Sequence, residues 1–162
     1  MNPLQKLIDA GLPEMDTGVM RHGFADHGRD YIIILEDSIS RRPGRYRLTF
    51  THVVELQMRT EVGPDVWRRS WSDEFTDYQR WEAAGEPDGY VFGTNWSLAY
   101  SGFSAVNDSA LAAEWASKVG YPMFAANLQT DRFNLTLIFH DARLEQLGAE
   151  TSTVSQVVHP LN

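Results

Sequence analysis

From Arg45 to Thr60 polar and apolar residues alternate over sixteen positions, with Tyr46, Leu48, Phe50, Val54, Leu56 and Met58 on one parity and His52 among them. Successive side chains of a strand point to opposite faces, so this pattern demands a half-buried strand. At ~3.3 Å per residue the run would extend about 50 Å, well beyond an ordinary strand, so it is predicted to bend. The apolar parity continues through His52, which argues against a simple bulge there, because one extra residue would turn everything after it to the other face. An imidazole on an apolar strand face needs hydrogen-bond partners to offset its desolvation. His52 therefore reads as a core histidine bonded to a carbonyl or hydroxyl. The sharper alternative makes it the floor of a pocket walled by Tyr46, Trp96 or Tyr100.

Other elements follow from local signals. Asn2 and Pro3 start a short helix whose stripe is Leu4, Leu7 and Ile8, and Gly11 with Pro13 ends it. A strand is predicted over Val19 to Phe24, followed by the loop Ala25 to Arg29. Tyr31 to Leu35 reads as a central strand covered on both faces, joined through Pro43-Gly44 to the alternating run as an antiparallel neighbour. A helix is expected from Asp73 to Ala84, started by Ser72, and a strand from Tyr90 to Tyr100. A further helix covers Ser109 to Val119, capped by Asp108 or Ser109, stapled by Glu114 and Lys118, and stopped by Gly120. Met123 to Thr130 and Phe133 to His140 form a hairpin; the last twenty residues read as a short helix or a loose tail. The fold class is α+β, a mainly antiparallel sheet with a long bent strand, packed by two or three helices in one domain whose core spans about residues 18–142.

Composition narrows the function. A chain of 162 residues with 43% hydrophobic content builds one domain, and the absence of cysteine removes disulfides, thiolate metal sites and a cysteine nucleophile. The longest apolar run, Tyr31 to Leu35, is far short of the roughly 20 residues that span a bilayer, and no secretion signal opens the sequence, so no membrane partner is expected and the cytosol is the expected compartment. A net charge of −8 opposes nucleic-acid binding. The acid is concentrated: Glu61, Asp65, Asp73, Glu74, Asp77, Glu82, Glu86 and Asp88 face only Arg68, Arg69 and Arg80 within Glu61 to Tyr90, a balance of −5, and three of the five tryptophans lie there too. Charge steers encounters and aromatic anchors supply affinity, so Trp67, Trp71, Asp73, Glu74, Asp77 and Trp81 are the candidate partner-binding residues. The plainer reading of the same stretch is a solvated face with its tryptophans packed inward.

The catalytic alternative rests on His22-Gly23-Phe24-Ala25-Asp26-His27-Gly28-Arg29-Asp30, which gathers imidazoles, carboxylates and a guanidinium at a strand end. His22, Asp26, His27 and His52 are its candidate residues, and His52 or His140 would complete a metal or acid/base set, as in a small metal-dependent hydrolase. The spacing matches neither H-E-x-x-H nor H-x-H, so no metal site is assigned from it. Gly102-Phe103-Ser104-Ala105-Val106 holds only the first half of G-x-S-x-G, and no phosphate loop or cofactor motif is present, so no cofactor is expected.

Several phrases carry a family likeness: His22-Gly23-Phe24 with Arg29-Asp30-Tyr31, Gly44-x-Tyr46-x-Leu48-x-Phe50-Thr51-His52, the Trp71 to Trp81 segment with Gly85-Glu86-Pro87-x-Gly89-Tyr90, Asn95-Trp96-x-x-x-Tyr100-Ser101-Gly102, and Glu114-Trp115. Together they resemble the YxiG-like domain family of small bacterial proteins over about residues 18–142. That family has no established activity and no catalytic set to transfer. Its name-giving member lies near a contact-dependent toxin locus, so the resemblance implies an immunity-type or accessory binding role, with a basic toxin domain as the fitting protein partner. A homodimer burying a sheet edge or the aromatic patch is compatible with either reading.

Overall fold

The alternating run divides into two strands, β3 (Gly44–Thr51) and β4 (Glu55–Thr60), that belong to different sheets. The computed structural model describes residues 1–12, 17–38, 42–61, 64, 67–68, 78–85 and 96–148. At the break His52 takes a φ of 49°, a left-handed conformation uncommon outside glycine. Two residues later Val54 donates its N–H to the Ile138 carbonyl at 2.9 Å while Glu55 is the ladder partner of Ile138, so two residues oppose one in a bulge. The expected single long bent strand is therefore a pair of strands around a corner. Apolar parity misleads here because it does not trace one face: Leu56 packs into the main core, whereas Val54 packs with a helix on the far side of the second sheet.

Strands β1 (Thr17–Phe24), β2 (Tyr31–Asp37), β3, β5 (Ser97–Ala99) and β9 (Asp141–Leu147) make the first sheet, in the order β5-β1-β2-β3-β9. Strands β4, β6 (Gly102–Val106), β7 (Phe124–Gln129) and β8 (Phe133–Phe139) make the second, in the order β4-β8-β7-β6. Every pairing is antiparallel. β2 is central, with Tyr31, Ile33 and Leu35 buried; Ile32 and Ile34 are half-buried. The stretch beyond 142, read from sequence as a helix or tail, instead begins with most of β9, which pairs with β3 from Thr51 with Asp141 to Arg45 with Leu147.

The chain changes sheets again at His140, between β8 and β9, and the His140 N–H donates to the Thr51 carbonyl at 3.0 Å. Two such corners side by side let paired strands fold over onto each other, the device by which sheets pack at a large angle. Phe139 stacks edge-on against Phe50 of β3 at 4.8 Å, while Phe133 at the other end of β8 lies 4.5 Å from the His22 ring of β1. β8 therefore runs across the first sheet, and the core fills the space between: Ile33, Leu35, Leu48 and Phe50 from one side, Leu128, Leu135, Leu137 and Phe139 from the other.

Besides the helical residues Pro64, Trp67 and Arg68, three helices are seen among the described residues. In α1 (Pro3–Asp9) the Asn2 Oδ1 accepts from the Leu4 N–H at 3.0 Å, and Asn2 Nδ2 donates to the Ala125 carbonyl at 2.8 Å, so one capping residue both starts the helix and ties it to β7. α2 (Tyr78–Ala83) is the described part of the helix expected from Asp73; residues 73–77 lie outside the described residues, as do 90–95 of the expected strand Tyr90 to Tyr100. α3 (Ala110–Val119) has Ser109 as its cap and Gly120 at φ 75° as its stop, and Lys118 bonds Glu114 at 2.6 Å, all as the sequence predicts. It packs Leu111, Ala112 and Trp115 on the outer side of the second sheet, against Ala125 and Ile138. No helix of the described residues is long and apolar enough to cross a membrane.

Candidate functional site

The loop between β1 and β2 is shaped by Gly28, whose φ of 68° suits a residue without a Cβ, and is closed by bonds from Gly28 N–H to the Ala25 carbonyl (2.7 Å) and from Ala25 N–H to the Asp30 carbonyl (2.8 Å). The loop docks on the β3–β4 corner through Asp30. Asp30 Oδ1 accepts from Arg29 Nε at 3.0 Å and from the His52 N–H at 3.0 Å, and Oδ2 accepts from Arg29 Nη2 at 3.2 Å. The Arg29 carbonyl accepts from the Val53 N–H at 2.9 Å. Arg29 N–H donates to His27 Nδ1 at 3.1 Å, which leaves the proton of a neutral His27 ring on Nε2, 3.7 Å from Asp30 Oδ2. The Arg29 bond, with the His52 N–H adding to it, holds the Asp30 carboxyl below its ordinary range despite its partial desolvation.

His52 is exposed, a correction to the core histidine predicted from parity. The left-handed turn at the corner swings its side chain out of the sheet, where it meets His140 edge-on at 5.9 Å between ring centroids. His140 donates from Nδ1 to the Pro122 carbonyl at 2.7 Å, and its other neighbour is the exposed Tyr121 ring at 6.0 Å. Tyr46, named as a wall of the alternative pocket, is buried, with its hydroxyl on the Arg42 carbonyl.

His22 goes elsewhere. It lies on the inner face of β1, half-buried, where its Nδ1 and the Tyr31 hydroxyl share a hydrogen bond of 2.6 Å and its ring rests on Phe133. Burial lowers the His22 pKa and raises that of Tyr31 to about 12, so both are neutral at physiological pH. The four residues of the catalytic alternative thus take separate positions: His22 inside the sheet end, Asp26 and His27 exposed on the loop, His52 on the corner. Among the described residues no group of three or more His, Asp or Glu is placed to hold a metal ion. Ser104, from the partial serine motif, lies on the regular strand β6 rather than a strained turn. Two open clefts, of about 330 Å³ beside Glu36, Asp37 and Arg45 and about 590 Å³ beside Asn2, Asp108 and Ser109, have no histidine in their walls.

The acidic stretch opens where β4 leaves the sheet. The Glu61 N–H donates to the Arg132 carbonyl at 2.8 Å and its carboxylate accepts from Asn134 Nδ2. Trp67 is 40% exposed and Trp81, on α2, is half-buried. Trp71, Asp73, Glu74 and Asp77 lie outside the described residues. Reading the sequence misses the link between this side of the molecule and α3: Trp115 Nε1 donates to Glu55 Oε2 at 2.8 Å, and this bond, followed by that from Gln57, lowers the Glu55 pKa.

A family model described as YxiG-like protein matches residues 1–157. Among proteins of curated description none matches the chain. A solved structure, that of an uncharacterized protein from Neisseria gonorrhoeae, is similar with a TM-score of 0.38 and 8% sequence identity, covering 83% of this chain and 95% of that one.

Proposed function

The chain belongs to the YxiG-like protein family, and from that premise we propose that it acts by binding a basic protein partner, as an immunity-type or accessory protein of the bacterial cytosol. The binding face is the stretch from Glu61 to Tyr90. The observation that carries this reading is the joint presence there of a −5 charge balance and an exposed tryptophan, Trp67. An aromatic ring held in water has apolar area to gain from a partner, and clustered carboxylates raise the encounter rate with a basic surface while disfavouring acidic ones. The catalytic alternative loses support because its four side chains are dispersed.

Hydrogen-exchange footprinting tests the reading with purified basic toxin domains as probes, added one at a time. Slowed exchange confined to 61–90 supports it. Protection centred on His27, His52 and His140, with 61–90 unchanged, contradicts it.

A further inference from the structure

Strand β4 is the end strand of the second sheet: β8 holds one side of it, and among the described residues no strand pairs with the other. The ladder fixes which backbone groups face that side. Glu61 bonds Arg132 in the same register that pairs Thr60 with Phe133, and hydrogen-bonded pairs alternate in an antiparallel ladder. Residues 55, 57 and 59 therefore bond β8, and Leu56, Met58 and Thr60 turn their N–H and C=O groups outward. The side chains from Gln57 to Thr60 are exposed, Met58 at 47%. On one face of the strand the Glu55 carboxylate is held in place by Trp115 Nε1 at 2.8 Å and Gln57 Nε2 at 3.0 Å. Arg59, on that same face, is exposed and makes no ion pair among the described residues.

We propose that β4 pairs antiparallel with β4 of a second copy of this chain, across a twofold axis at Gln57. In that register Leu56 exchanges backbone hydrogen bonds with Met58 of the partner subunit. Glu55 stands opposite Arg59 of the partner subunit, in the class of antiparallel pair whose side chains are closest. The twofold axis repeats each contact, so two ion pairs and two Leu–Met contacts form at once. The charge pattern selects this register. Sliding by two residues one way sets Glu55 against Glu61 of the partner subunit, and sliding the other way sets Arg59 against Val53 of the partner subunit, losing both ion pairs.

The chain has no cysteine, which makes cross-linking a clean test. At the axis Gln57 faces Gln57 of the partner subunit at a Cα separation of about 4.5 Å, inside the range a disulfide spans. Thr60 lies well away from its counterpart. Q57C and T60C are oxidised with glutathione disulfide at micromolar concentration, and the wild-type chain is sedimented in parallel. The account expects a wild-type dimer, Q57C cross-linking at least about tenfold faster than T60C, and a loss of about tenfold in dimer affinity when Arg59→Glu sets like charges opposite each other. Equal cross-linking rates, a dimer indifferent to R59E, or a wild-type monomer at every concentration would overturn it. Arg59 is exposed, so R59E keeps the test valid without endangering the fold.

Discussion

His52 and His140 meet edge-on, 5.9 Å between ring centroids, at two of the places where the chain passes from one sheet to the other. Neither ring holds the corner together. The backbone does so, through the His140 N–H on the Thr51 carbonyl and the His52 N–H on Asp30. The histidines mark the fold's hinge line, and the side chain that secures it is a carboxylate from a different loop.

Replacing Asp30 with Ala should therefore cost about 1–2 kcal/mol in urea unfolding at neutral pH, the usual range when a charge-assisted bond is lost and a donor is left without its acceptor. The pH dependence has a definite sign. Because the Arg29 bond depresses the folded-state pKa of Asp30, its contribution is complete above the unfolded value of about 3.9 and disappears as pH falls through the lower folded value. The gap between wild type and D30A should narrow in acid and stay constant from pH 5 upward.

His22 and Tyr31 give a second titration. NMR should place the His22 midpoint below 6.5, because burial disfavours its charged form, and Tyr31 at about 12. A lowered histidine pKa contributes stability that is present above 6.5 and is lost as pH falls through the folded value. Tyr31→Phe removes the shared bond at a cost of about 1 kcal/mol in thermal unfolding.

How much was legible in the sequence follows from how local each signal is. Ser109, Glu114, Lys118 and Gly120 act within one helix, so α3 was predicted nearly to the residue. The β2–β3 hairpin was legible for a similar reason: its short connection and turn pair lie between two well-marked strands. His52 was misread because its conformation depends on Asp30, 22 residues away, and on a bulge opposite Ile138 that leaves apolar parity intact. Most of β9 was missed because an edge strand with Ala142 as its buried residue shows little hydrophobic contrast. The His22–Tyr31 pair was within reach of the sequence: setting Phe24 opposite Tyr31 across the loop puts His22 on the same face.

Trp115→Phe should let the Glu55 carboxyl return toward its ordinary pKa, since the indole bond is the chief cause of its depression. Carboxyl-resolved NMR titration of wild type and W115F checks this.

The two ends of α3 should respond alike. Ser109→Ala removes the acceptor of the Ala112 N–H and should cost about 1 kcal/mol. Gly120→Ala places a Cβ on a left-handed residue at φ 75° and should cost a similar amount, about 1 kcal/mol. Both are read from urea midpoints at unchanged slope.

The central claim is that the acidic, tryptophan-bearing stretch from Glu61 to Tyr90 is the binding face. The most direct measurement is calorimetric titration of a purified basic toxin domain that binds the chain, with wild-type chain and with D73K/E74K/D77K, at low and high salt. The account predicts wild-type affinity that falls as salt rises and a loss of at least about tenfold in the triple variant. An unchanged affinity in the triple variant would contradict it.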